Sequence, residues 1–190
     1  MEKKDLKPAG VFKYFEEICQ VPRPSKKEEK MIAYLKAFGA KHNLETKVDE
    51  AGNVLIKKPA TPGKENLQTV VLQSHIDMVC EKNNDVQHDF LTDPIETEID
   101  GEWLKAKGTT LGADNGIGVA TELAILADDS IEHGPLECLF TVDEETGLTG
   151  AFALQEGFMS GDILLNLDSE DEGEIFIGCA GGIDSAAASC

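Results

Sequence analysis

Four stretches of this chain bring imidazole and carboxylate groups together in a pattern suited to divalent cations. Leu72-Gln73-Ser74-His75-Ile76-Asp77-Met78-Val79 closes an apolar run with a histidine and, two residues on, a carboxylate. Leu111-Gly112-Ala113-Asp114-Asn115-Gly116 sets Asp114 in a glycine-bearing loop. Phe140 to Gly147 carries Asp143, Glu144 and Glu145, and Leu164 to Glu170 carries Asp168. Histidine mixed with carboxylates suits zinc, with cobalt or manganese as alternatives, better than calcium, which prefers oxygen cages. Two metals about 3.5 Å apart can share a bridging carboxylate and a bridging water, acidify that water and polarise a scissile carbonyl. A further carboxylate must then take the water's proton and pass it to the leaving amine. Adjacent Glu144 and Glu145 meet that need, one as ligand and the other as acid and base. The charges nearly cancel as well: Asp77, Asp114, Glu144, Glu145 and Asp168 face two divalent ions, and without metal the carboxylates would repel and several would protonate.

Taken singly, these signals are weak. A His-x-Asp at a strand end is common as a satisfied polar terminus. An acidic loop such as Asp143-Glu144-Glu145 is usually a solvated turn. Asp114 suits the start of a helix, where the peptide dipoles favour a carboxylate in any case, and Asp168 suits an ordinary strand end. The weight comes from their occurrence together, in this order and at strand ends.

The elements that must position these groups follow from periodicity. Val11, Phe12, Phe15, Ile18 and Cys19 predict a helix over 8–20, ended by Val21-Pro22-Arg23-Pro24 because proline disfavours helix in the residue before it. Ser25 with Glu28 has the capping-box pattern and predicts a second helix from there to about His42. Residues 46–48 and 53–58 predict a hairpin, and the apolar run 69–79 a strand covered on both faces. Residues 81–95 have no periodicity and are expected to form a long loop. Asp100-Gly101 joins two further short strands. A helix over 116–126 follows Asp114. Apolar strands are expected over 136–142 and 162–167, with a short helix over 150–156, Gly157 past its end, and a further strand beginning at 174–178. Strands alternating with helices predict an α/β fold with a mixed, largely parallel central sheet. Sites in such sheets form at the carboxyl ends of strands, where His75, Asp77, Glu144, Glu145 and Asp168 all fall.

Composition narrows the function classes. The 190 residues are enough for a domain with a real core. With 17 basic against 36 acidic residues the formal charge is −19, which disfavours nucleic acid and anionic membranes as partners. There is no leader-like N-terminal pattern and no apolar stretch long enough to span a bilayer. The five cysteines form no CxxC pair and are odd in number, so a reducing cytoplasm is the expected location, with Cys80 and Cys138 as buried thiols.

The motifs S-H-x-D-M-V, G-A-D-N-G-I-G-V-A, T-V-D-E-E-T-G-L-T-G-A and N-L-D-S-E closely resemble those of the co-catalytic zinc exopeptidases, which include aminoacylases and carboxypeptidases. Within that family the chain is most similar to the aminoacyl-histidine dipeptidases, also called Xaa-His or cytosol non-specific dipeptidases; Glu172 to Gly182 shares the likeness. The resemblance implies a three-layer catalytic domain and hydrolysis of dipeptides or short peptides. It implies that His75 and Asp168 bind one metal, that Asp114 bridges two, that Glu145 binds the second and that Glu144 is the general base and acid. Asp77 would fix the tautomer of His75 through the other ring nitrogen. It also implies a cis peptide between Asp114 and Asn115.

In length the sequence departs from that family, whose members are more than twice as long. Their catalytic domain has two segments with a lid or dimerisation domain inserted between them. Residues 1–178 are therefore expected to be the first segment, and 179–190 the start of the insertion. The last metal-binding histidine would lie beyond, since neither His88 nor His133 fits it by motif. A fragment of a homodimeric parent is the expectation, with an incomplete sheet and exposed apolar surface. A deacylase or tripeptidase on the same scaffold is the alternative nearest in chemistry. A metal-binding truncation without turnover is a second alternative, and an acidic interaction domain a third.

Overall fold

The computed structural model describes residues 2–169 and 173–178. Helices α1 (Ala9–Cys19) and α2 (Glu29–Lys41) lead into the antiparallel hairpin β1 (Glu45–Val48) and β2 (Val54–Lys58). Strand β3 (Val70–His75) is followed by the long loop and the separate hairpin β4 (Thr97–Asp100) and β5 (Trp103–Ala106). Then come α3 (Ala113–Ala127), β6 (Leu136–Thr141), the short α4 (Thr149–Ala153) and β7 (Ile163–Asn166). The main sheet has the order β1-β2-β6-β3-β7, with β3 parallel to both β6 and β7. Only β2 runs against the other four, so the expected mixed, largely parallel sheet is present.

Alternation along the strands divides the core, as side chains at successive positions must point to opposite faces. Val54 and Ile56 of β2, Leu72 of β3, and Cys138 and Phe140 of β6 face Phe15 and Ile18 of α1, Met31 and Leu35 of α2, and Leu123 of α3. Their intervening neighbours Leu55, Val71 and Leu139 face the other way, where Leu154, Phe158 and Met159 cover them. Among the described residues that second layer is thin. At the edge of the sheet, Ile163, Leu164 and Leu165 of β7 remain 40%, 47% and 47% exposed.

Several local expectations need correction. Ser25 and Glu28 do not form a capping box: α2 begins at Glu29, and the Ser25 hydroxyl bonds the side chain of Asp77 instead. Strand β3 stops at His75, because the chain then turns to bond the 23–24 segment, with the Met78 amide donating to the Arg23 carbonyl. The hairpin register pairs Asp100 with Trp103, so its loop is Gly101-Glu102. Helix α4 ends at Ala153, and Gly157 lies in a later turn. Residues 174–178 form no strand; Ile175 and Ile177 point into solvent with no ladder partner among the described residues. Residues 179–190, where an inserted domain was expected to begin, lie outside the described residues, as does Glu170.

Candidate metal centre

All six residues singled out in the sequence converge at the carboxyl ends of β3, β6 and β7. His75 is the last residue of β3 and is 1% exposed. Its Nε2 lies 3.1 Å from Asp114 Oδ1, 3.6 Å from Asp168 Oδ1 and 4.0 Å from Glu144 Oε2. Ligand atoms of His75, Asp114 and Asp168 lie within 4.8 Å of one another, and so do those of His75, Glu144 and Glu145. An imidazole nitrogen ringed by carboxylate oxygens at such spacing fits a divalent cation of intermediate softness.

Each of the converging segments has its own local geometry. Asp114 sits where α3 begins irregularly, with non-helical dihedrals at Asp114 and Asn115 and a regular helix from Gly116. The Asp114–Asn115 peptide is cis, as the resemblance implied. Gly112 before it adopts φ +67°, a left-handed turn natural to glycine. Asp168 follows β7 by two residues, and its amide donates to the Asn166 side chain. Glu144 and Glu145 ride on a loop shaped by Asp143, which is 5% exposed and accepts from the Thr146 and Thr149 hydroxyls at 2.6 and 2.5 Å.

Asp77 is the hub. It is fully buried and lies 3.2 Å from His75 Nδ1. The same carboxylate accepts the Glu144 amide at 3.1 Å, the Glu145 amide at 3.2 Å and the Ser25 hydroxyl at 2.7 Å. Burial works against its charge, but the bonds from His75, Ser25 and Glu144 outweigh it and hold Asp77 below the usual carboxylate range. Burial likewise opposes a charge on His75, yet Asp168 and Asp77 raise its imidazole to about 10. Glu144 and Glu145 are pushed up, first by burial and then by neighbouring negative charge; for both, Asp77 and Asp168 are among the sources. The crowding of carboxylates inferred from the sequence is thus a feature of the folded site. A cleft of about 300 Å³ opens beside Asp114 and Asp168, floored by Ala113, Ile117 and Leu167.

Sequence reasoning missed Asp143, Glu28 and Arg23. Glu28, Asp77 and Asp143 also bring ligand atoms within 4.8 Å, all buried. Their oxygens, however, accept the hydrogen bonds that build the loop, including the Asp143 amide on Glu28 at 3.0 Å. The one available signal for Asp143 was its place at the head of the acidic run.

Residues 71–182 match the model of peptidase family M20/M25/M40. The chain belongs to this family. It is 54% identical over 183 residues to the cytosol non-specific dipeptidase of Escherichia coli (strain K12), covering 96% of this chain and 38% of that protein. Among solved structures it is similar to the aminoacylhistidine dipeptidase of Vibrio alginolyticus, with a TM-score of 0.91 and 56% identity over 94% of this chain and 36% of that one. Aminopeptidase PepT of Bacillus cereus gives a TM-score of 0.72 at 26% identity, covering 85% and 43%. The chain therefore spans little more than a third of the dipeptidases it resembles.

Proposed function

We propose that this M20 chain supplies most of the active site of a metal-dependent dipeptidase that hydrolyses Xaa-His and other short peptides. The observation that carries this reading is the ring of Asp114, Asp168 and Glu144 oxygens within 4.0 Å of His75 Nε2. The high identity to dipeptidases over nearly the whole chain supports it.

On this reading His75 Nε2 and Asp168 would hold one metal, Glu145 would hold a second, and Asp114 would serve both. Two divalent ions, zinc or alternatively cobalt or manganese, would supply Lewis acidity toward the peptide carbonyl and lower the pKa of a water. Glu144 would take a proton from the attacking water and deliver it to the leaving amine nitrogen. Burial, the first cause of its raised pKa, acts in the direction that suits a group that must both take and return a proton. Asp77 accepts the Nδ1 proton of His75, which leaves the Nε2 lone pair directed at the metal position. The cleft beside Asp114 and Asp168 receives the substrate. The intact protein is assigned to the cytoplasm, in keeping with the name of the Escherichia coli relative; no helix among the described residues is long and apolar enough to cross a membrane. It dimerises through a lid domain that begins at about residue 179.

Calorimetric titration of the metal-free chain with zinc tests the site. One to two equivalents, bound much more weakly by Asp114→Ala, support it. No binding by a chain shown to be folded overturns it. Hydrolysis of Xaa-His dipeptides in preference to N-acyl amino acids separates a dipeptidase from a deacylase.

A further inference from the structure

Arg23 is 2% exposed and its guanidinium meets backbone carbonyls. Nη1 donates to the carbonyls of Ile76 at 3.3 Å and Asp77 at 3.2 Å. Nη2 donates to the carbonyl of Gly112 at 2.6 Å. Room for the group is left by two glycines: a Cβ on Gly112 or Gly116 would fall 2.6 or 2.7 Å from Nη2. The main chain of the same segment is also docked, since the Met78 amide donates to the Arg23 carbonyl at 3.2 Å and Pro24 bridges Met78. Two residues on, the Ser25 hydroxyl holds Asp77 Oδ2.

Burying a cation is costly unless its donors are all well used. Here they join two segments. Ile76 and Asp77 follow His75 directly, and Gly112 precedes Asp114 by two residues. The planar fork thus spans the His75 and Asp114 segments of the site, whose side chains approach to 3.1 Å. A lysine ammonium is a point donor on a flexible stem and does not reproduce a fork of fixed geometry.

We propose that Arg23 and Ser25 are positioning residues of the metal centre: Arg23 locks the His75 and Asp114 segments to each other, and Ser25 fixes the carboxylate that orients His75. The proposal rests on His75 and Asp114 being metal ligands, as argued above.

The test uses zinc affinity by calorimetry and the visible absorption of the cobalt-loaded chain, which reports ligand geometry whatever the activity. Arg23→Lys is expected to weaken zinc binding about 10- to 100-fold, the usual effect of removing a residue that orients a ligand, and to change the cobalt spectrum. Ser25→Ala is expected to move both readouts in the same direction by less. Leu35→Ala, in the fully buried core of α2, serves as the control: it lowers thermal stability and leaves both readouts in place. Wild-type zinc affinity in both Arg23→Lys and Ser25→Ala overturns the proposal, as does equal weakening by Leu35→Ala. If Arg23→Lys does not fold, Ser25→Ala alone decides between these outcomes. Failure of the wild-type chain to bind zinc removes the metal-centre reading itself, a result distinct from unchanged variants.

Discussion

Glu122 of α3 faces Ser74 of β3 in the core, one residue from His75, close enough for the Ser74 hydroxyl to act on the Glu122 carboxyl. Both Glu122 oxygens are fully buried, with the Cys138 thiol as the other neighbour. Burial drives the carboxyl well above its ordinary 4.5, against a weaker downward pull from Ser74 and Cys138, so folding favours its protonated form.

A pH dependence of stability follows. Below about pH 4.5 both folded and unfolded chains keep the Glu122 proton. As pH rises past that value the unfolded chain releases the proton while the folded chain retains it. Stability contributed by this group is therefore complete at low pH and declines by up to about 1.4 kcal/mol per pH unit until the folded carboxyl ionises. Glu122→Gln should flatten that decline. Urea denaturation at pH 5 and pH 8 should show the variant gaining on the wild type at the higher pH. A difference independent of pH would mean that the folded carboxyl titrates normally.

Glu144 and Glu145 are adjacent but have separate duties in the proposed site. Glu144→Gln should lower kcat of the intact enzyme about 100- to 10,000-fold, the scale of a lost general base, with zinc stoichiometry unchanged. Glu145→Gln should bind one equivalent of zinc fewer. Steady-state kinetics beside calorimetry checks both, and an interchange of the two results would reverse the assignment.

Asp77→Asn presents an amide to donors that need an acceptor, namely the Ser25 hydroxyl and the Glu144 and Glu145 amides. Leaving buried donors unsatisfied costs about 1–3 kcal/mol. The variant should show that loss in chemical denaturation, together with zinc binding weaker by about 10- to 100-fold through the unoriented His75. Unchanged stability would contradict the hub role.

Gly150→Ala should be destabilising by about 1–3 kcal/mol, the usual scale of overpacking. A Cβ there would collide with the Val142 carbonyl oxygen and the Asn53 side-chain oxygen. The Val142 amide donates to the Asn53 side-chain oxygen and its carbonyl accepts from the Gly150 amide, so neither side can give way cheaply. Thermal melts of the variant measure the cost, and a melt equal to wild type would show that the 142–150 loop is slack.

The convergence of His75 with its carboxylates was legible in the sequence because the chemistry is carried by residue types, and because an apolar strand advertises where it ends. His75, Asp77 and Asp168 each sit at such an end. The sheet order was not legible, since β2 pairs with β6 across some eighty residues of chain. Ser25 and Glu28 misled for a related reason. Their local spacing is that of a helix cap, while their partners, Asp77 and the Asp143 amide, lie 52 and 115 residues away. Arg23, flanked by prolines, signalled only a helix stop. Nothing local tells a buried arginine from a solvated one.

Asp77 Oδ1 faces both the Nδ1 of His75 and the amide that carries Glu144. One oxygen thus faces the ring that would bind metal and the backbone of the group that would carry the proton. Any shift of charge on the imidazole, such as a cation arriving at its far nitrogen, redistributes the strength of the two contacts. By thermodynamic reciprocity, whatever repositions the Glu144 backbone must feed back on cation affinity by the same free energy. Cation affinity and proton-carrier placement are then linked through one carboxylate oxygen.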